Sequence, residues 1–180
     1  MDSAVNHNYK NQGIKFFKEW VIPIAVALII AMLIKNFLFF NIYVPSESMV
    51  PTINVDDKMV VTKIYNRGNI KRGDIIVFYS DELKKTLIKR VIGLPGDHIV
   101  IHDGIVNING NDIKEDYVKN NEKYNRTFDV PEDKFFFLGD NRPDSLDSRR
   151  WKNPYIDKSN IKGKAVFRFY PFSKMGSLSQ

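Results

Sequence analysis

The chain has no cysteine in its 180 residues and only three histidines. The first absence excludes a disulfide framework, a thiolate nucleophile and a zinc–thiolate site together. The second narrows the chemistry open to a serine, because a Ser-His-Asp triad needs an imidazole. Only His7, His98 and His102 could supply one. The formal net charge is +6, yet the basic residues gather into neither a basic helix nor an aromatic-rich basic stripe, so no nucleic-acid partner is expected. An exported domain beside anionic lipid accounts for such a charge through surface attraction. Internal repeats and low-complexity segments are also lacking.

What is present begins with an apolar run. Every residue from Trp20 to Ile34 is apolar, and after Lys35 and Asn36 the stretch Phe37-Leu38-Phe39-Phe40 resumes it. Roughly twenty residues is what a helix needs to cross a hydrocarbon core of ~30 Å, so residues 20–40 are expected to form one membrane-spanning anchor. Lys35 can snorkel to the headgroups, and the aromatics after it, with Tyr43, suit the interface. Lys10, Lys15 and Lys18 precede the run, and no Lys or Arg stands between Asn36 and Asp57. Positive charge stays inside, which puts residues 1–19, His7 among them, in the cytoplasm and the rest of the chain beyond the membrane. A cleavable leader is the competing interpretation, but it would end in small residues. The exit here reads Asn41-Ile42-Tyr43-Val44, and Ala25-Val26-Ala27 lies inside the run. A single-pass, retained anchor is the expectation.

Beyond the run, about 140 residues remain, enough for one domain with a core. Short segments rich in β-branched and aromatic residues run from Lys58 to Tyr65, Asp74 to Tyr79, Thr86 to Ile92, His98 to Ile101, Ile105 to Ile108, Phe135 to Leu138 and Ala165 to Tyr170. Arg72-Gly73-Asp74, Pro95-Gly96-Asp97, Asp103-Gly104 and Asn109-Gly110 punctuate them, and Asp103-Gly104 between alternating runs predicts a hairpin. The expectation is a mostly β, barrel-like domain over 41–110 and 134–180, with a small cap or loop insertion over the polar, strand-poor 111–133.

Pro45-Ser46-Glu47-Ser48-Met49-Val50-Pro51-Thr52 opens this part. Proline fixes its own φ and extends the residue before it, so the two serines should sit on a stiff loop. His98 and His102 flank the hairpin near Asp103, where solvated strand-end histidines are expected rather than a base. A lysine can also deprotonate a serine, but only when neutral. At an ordinary pKa of ~10.4 about one in a thousand is neutral near pH 7.4, so apolar neighbours must desolvate it. In Leu87-Ile88-Lys89-Arg90-Val91-Ile92 strand alternation puts Lys89 on one face with Leu87 and Val91, and Arg90 on the other. Lys89 is therefore the lysine best placed by sequence to be buried, although most strand lysines snorkel out.

Four blocks together are specific. Pro45-Ser46-x-Ser48-Met49-x-Pro51-Thr52, then Arg72-Gly73-Asp74-Ile75-Ile76-Val77-Phe78, then Lys89-Arg90-Val91-Ile92-Gly93-Leu94-Pro95-Gly96-Asp97, then Gly139-Asp140-Asn141-Arg142-x-x-Ser145-x-Asp147-Ser148-Arg149 resemble the type I signal peptidase family, in its order and behind a membrane span. The short stretch between Asp97 and Gly139 and the single anchor resemble its compact Gram-positive form. The resemblance implies a serine endopeptidase of the bacterial cell membrane that needs no cofactor. It would cut exported preproteins after small residues in an Ala-x-Ala pattern, beside the protein export machinery. It further implies Ser48 as nucleophile, Lys89 as general base, the Ser48 N–H with the Ser46 hydroxyl as oxyanion donors, Ser145 holding the lysine, and Asp147 paired with Arg149 in the wall around it. Ile42, Val44, Met49, Leu87 and Ile88 would surround the substrate, which would lie as a strand between Ile42–Ser46 and Leu87–Lys89.

Lys152 stands where the family usually has glycine, and Pro143 sits at a variable place in the last block. A calcium loop from Asp140, Asp144 and Asp147 is a competing use of that block. Its spacing misses the D-x-[DN]-x-[DN]-G pattern, and Arg142, Arg149 and Arg150 would oppose a cation, so no metal is expected. A catalytically inactive, membrane-tethered binding module on the same scaffold remains the alternative function.

Overall fold

The computed structural model describes residues 15–178. His7, Lys10 and most of the expected cytoplasmic segment lie outside those residues. Phe17–Leu38 is one helical stretch of 22 residues, long and apolar enough to cross a membrane. It opens as a π-turn, Phe17–Val21, and continues as α1, Ile22–Leu38. Pro23 stands directly after the π-turn, and having no N–H to give the preceding turn it falls where the helix changes its winding. No residue of α1 is buried by protein, and a helix apolar on every side suits lipid rather than water. The helix stops at Leu38, because Phe39 takes extended backbone with φ −133° and ψ 156°. Phe39 and Phe40, read from sequence as the end of the span, therefore open the first strand. A run of apolar residues does not by itself mark where helix gives way to strand.

The compact unit from Phe40 onward is β structure. Its strands are β1 (Phe39–Tyr43), β2 (Lys58–Lys63), β3 (Ile75–Ser80), β4 (Lys85–Gly93), β5 (His98–His102), β6 (Ile105–Ile108), β7 (Asn111–Asp112), β8 (Arg126–Asp129), β9 (Lys134–Leu138), β10 (Tyr155–Asp157), β11 (Ile161–Tyr170) and β12 (Gly176–Ser177). The larger sheet runs β1-β2-β11-β3-β4-β9-β10, with β12 beside β11, and a second sheet runs β7-β6-β5-β8. β1 is thus an edge strand. β4 is covered unequally: β3 pairs with it from Lys85 to Arg90, whereas β9 reaches only Arg90, Val91 and Gly93. The outer edge of Lys85–Lys89 is left open.

The second sheet spans His98–Asp129 and is wider than the insertion expected over 111–133, because β5 and β6 belong to it. Its turns follow from the sequence. Asp103 and Gly104 have φ of 48° and 83°, and Asn109 and Gly110 have 52° and 86°. Two consecutive left-handed residues make the tight turn whose twist matches a hairpin, and Asx-Gly accepts it at least cost. The first joins β5 to β6 and the second joins β6 to β7.

Three buried clusters hold the domain. Val91, Phe78, Phe137 and Trp151 anchor one, Ile92, Ile99, Phe128 and Phe136 a second, and Val44, Met49, Ile53, Met59 and Val77 a third. Consecutive residues at the end of β4 and along β9 enter different clusters, which is why Val91-Ile92 and Phe135-Phe136-Phe137-Leu138 are apolar without alternation.

Candidate active site

Ser48 lies on the loop after β1, buried apart from 5 % of its surface. The loop is pinned by its own backbone: Val50 N–H donates to Glu47 O and Ile53 N–H to Met49 O. From the far side Asn141 donates its N–H to Ser48 O at 3.1 Å and its side-chain amide to Glu47 O at 3.2 Å. Asn141 was not singled out by sequence, yet it fixes the serine's backbone from both flanks.

Lys89 projects from β4 and is 3 % exposed. It shares a strand face with Leu87 and Val91, both packed in the aromatic cluster of Phe78 and Phe137. Its Nζ donates to Ser48 Oγ, and Ser46 Oγ stands 3.4 Å from Ser48 Oγ on the other side. Burial pushes the ammonium down to about 8, against the Asp147 carboxylate that favours the charge and with some help from Lys85. At pH 7.4 roughly one in five such lysines is neutral. In that form the contact reverses, and the Ser48 hydroxyl donates to the lone pair of the amine. The two histidines among the described residues take no part: His98 is exposed on Asp129 and His102 is exposed beside Asp103.

The last sequence block folds behind the pair. Asp147, wholly buried, accepts from Arg149 Nε at 2.9 Å and Nη2 at 3.0 Å and from Gly139 N–H at 3.0 Å. Ser145 Oγ is buried with no hydrogen-bond partner among the described residues. The bond to Lys89 that the resemblance implies is not made in this arrangement, in which Nζ donates to Ser48 alone. Ser145 sits instead behind Gly139, where a Cβ on the glycine would overlap the Ser145 hydroxyl and the Ser48 carbonyl oxygen. Gly139→Ala is therefore expected to displace the Ser48 backbone, lowering kcat/KM by about 10²-fold and stability by about 1–3 kcal/mol. Steady-state kinetics and thermal melting of that variant check it.

Arg90 was read from sequence only as the opposite face of β4. The structure buries it to 1 % exposure and pairs it with Asp140, Nε to Oδ1 at 2.9 Å and Nη2 to Oδ2 at 2.6 Å. Its Nη1 donates to Gly73 O at 2.8 Å, Thr52 Oγ1 donates to Asp140 at 2.5 Å, and the Tyr117 ring lies 3.8 Å from the guanidinium. Arg142 is held by Gly139 O and Glu115, and Arg149 also reaches Glu122 at 3.0 Å. Asp144 accepts from the Asn141 amide at 3.0 Å. Every carboxylate of the competing calcium loop is thus engaged by a protein donor. The Lys152 departure is accommodated at Glu82, which accepts the N–H groups of Lys152 and Asn153 at 3.1 Å each.

A cleft of about 360 Å³ leads to the serine. Ile42, Tyr43, Pro45 and Ser46 line one side, and Lys85, Thr86, Leu87, Ile88 and Lys89 the other, above Val77. Among the residues expected to surround a substrate, Ile42, Leu87 and Ile88 face this cleft. Val44 and Met49 do not; both are fully packed in the third cluster beneath it. The two walls are the edge strand β1 with the loop after it, and the open edge of β4. An extended peptide laid between them could pair its backbone with either.

A buried lysine against a serine hydroxyl, at the end of a cleft walled by open strand edges, is the equipment of a serine endopeptidase that takes its substrate as an extended chain. The chain belongs to the signal peptidase family, matching the family model "Signal peptidase, peptidase S26" over residues 17–170. It is 41 % identical over 170 residues to signal peptidase I of Leptolyngbya laminosa, covering 89 % of this chain and 83 % of that one. To signal peptidase I P of Bacillus subtilis subsp. natto it is 41 % identical over 169 residues, covering 87 % and 90 %. Signal peptidase I of Bacillus licheniformis is 37 % identical over 169 residues, at 87 % and 90 % coverage.

Proposed function

We propose that this enzyme removes signal peptides from exported preproteins by attack of Ser48 on the scissile carbonyl, with Lys89 as the base. The observation that carries the reading is the contact of a buried, depressed-pKa lysine with Ser48 Oγ at the end of the cleft. The Ser48 proton passes to Lys89 Nζ as Oγ bonds to the carbonyl carbon. The carbonyl oxygen becomes an oxyanion, for which the Ser48 N–H and the Ser46 hydroxyl are the donors. Collapse expels the new amine, which takes the proton from Lys89 and leaves an ester on Ser48. Lys89 then deprotonates a water that hydrolyses the ester. Ile42, Leu87 and Ile88 border the space for small side chains before the cut. Val44 and Met49 support it from below, and Ser145, Asp147 and Arg149 form the wall behind. The helix Phe17–Leu38 anchors the enzyme in the bilayer with the N-terminus cytoplasmic and the catalytic domain outside, where the export machinery delivers preproteins.

The test is cleavage of a preprotein with an Ala-x-Ala site by the detergent-solubilised full chain. The expected product begins immediately after the second alanine; an intact preprotein with folded enzyme defeats the reading. The rate should also carry the signature of the base. Lys89 works only when neutral, so kcat/KM should rise with pH along a limb whose midpoint lies near 8. A limb centred near 6.5, the ordinary histidine range, would point to a different base.

A further inference from the structure

The charged residues of the cleft are distributed unevenly. Its lining holds two lysines, Lys85 and Lys89, and no carboxylate. Lys89 is committed to Ser48, whereas Lys85 is exposed at the opposite end and forms no ion pair among the described residues. A third cation adds to the positive field from the other face of the strand: Lys162 of β11 donates to Thr86 Oγ1 at 2.8 Å, and Thr86, next to Lys85 in sequence, also lines the cleft. The nearest acidic side chains of the β3–β4 turn are turned away. Asp81 receives the Asn160 amide at 2.6 Å, and Glu82 caps the N–H groups of Lys152 and Asn153. Asp56 accepts the Tyr43 hydroxyl on the other wall.

We propose that Lys85, backed by Lys162, is a cationic subsite that selects an acidic side chain in the substrate about four to five residues before the cut. The inference rests on the peptidase reading above. Lys85 precedes Lys89 by four residues on one strand, which is about 13 Å at ~3.3 Å per residue. A substrate strand along the open edge of β4, with its scissile carbonyl at Ser48, advances at the same rate. Its residue four to five places back therefore reaches Lys85. Alternation puts Lys85 on the face of Leu87 and Lys89, so it meets side chains from the same side as the residues that border the cut. The position is chemically distinct from the small-residue requirement next to the scissile bond, because it reads charge rather than size.

Three peptides carrying the same Ala-x-Ala site, with Glu, Gln or Lys at the fifth position before the cut, test this with the solubilised full chain. The wild type is expected to cleave the Glu peptide about fivefold faster in kcat/KM than the Lys peptide at low ionic strength, the range of an exposed ion pair. At about 1 M salt, where the screening length falls to ~3 Å, that ratio should collapse towards one. Lys85→Glu should reverse the order, with the Gln peptide as each enzyme's internal reference, and Lys162→Gln should halve the preference. A ratio near one in the wild type, or one that Lys85→Glu leaves unchanged while the Gln peptide is still cut, overturns the subsite and spares the peptidase reading. Failure to cut all three peptides overturns both.

Discussion

Ser48→Ala is expected to lower the rate of preprotein cleavage by about 10⁶-fold, and Lys89→Ala by at least about 10⁴-fold, because each removes half of a unit that works together. Combining them should cost little more than the serine change alone, which single-turnover assays can read. Lys89→Met carries a second expectation of opposite sign. It keeps the volume of the side chain in its apolar seat and removes a charge that burial disfavours. The folded-state pKa near 8 lies below the ordinary 10.5, so the unfolded chain holds the proton more tightly than the folded one. Folding therefore bears the full penalty below pH 8 and is relieved of it as pH rises from 8 towards 10.5. Two to three pKa units correspond to about 3 kcal/mol. Lys89→Met should be inactive yet melt several degrees higher at pH 7, with the advantage fading above pH 10. Equal melting of both proteins at pH 7 would show that Lys89 is not desolvated.

The second large effect lies outside the dyad. Asp140→Ala strands the Arg90 guanidinium, 1 % exposed, without its counter-charge. Removing one partner of a buried pair costs about 3–5 kcal/mol, and a domain of this size loses about 2–4 °C for each. A fall of roughly 10 °C in Tm is expected, together with loss of activity, because the neighbouring Asn141 no longer holds Ser48 and Glu47 in place. Arg90→Met combined with Asp140→Leu should melt higher than Asp140→Ala, since it leaves no buried charge unpaired. A double variant that is the worse of the two would place the value of the pair in its hydrogen bonds to Thr52 and Gly73.

Both effects trace to contacts that differ in how far the sequence announces them. β-branched alternation and Asx-Gly turns were enough to locate β2 to β6 within a residue or two, because those signals are local. β8 was invisible: in Arg126-Thr127-Phe128-Asp129 only Phe128 is buried, and a single inward residue makes no alternation. β1 was hidden for the opposite reason, its phenylalanines continuing the apolar character of the helix. β11 begins at Ile161 rather than Ala165, since Gly163, backed against Thr62 O, reads as a break when it is a close approach of two backbones. The serine and lysine could be nominated from their blocks, whereas the Arg90–Asp140 bond joins residues fifty apart and leaves no trace in either neighbourhood.

The open edges of β1 and β4 have a cost of their own. A strand with unpaired amides and carbonyls will accept any extended partner, including the same edge of another copy, and confinement to a membrane would bring copies close together. The wall residues temper this. Pro45 cannot donate to a ladder, and Lys85 sets like charge against like when two such edges meet. Substituting both with good strand formers would leave the dyad intact while inviting the molecules to pair with one another. The chemistry that welcomes an unfolded segment is thus kept from promoting self-association by the residues that frame its entrance.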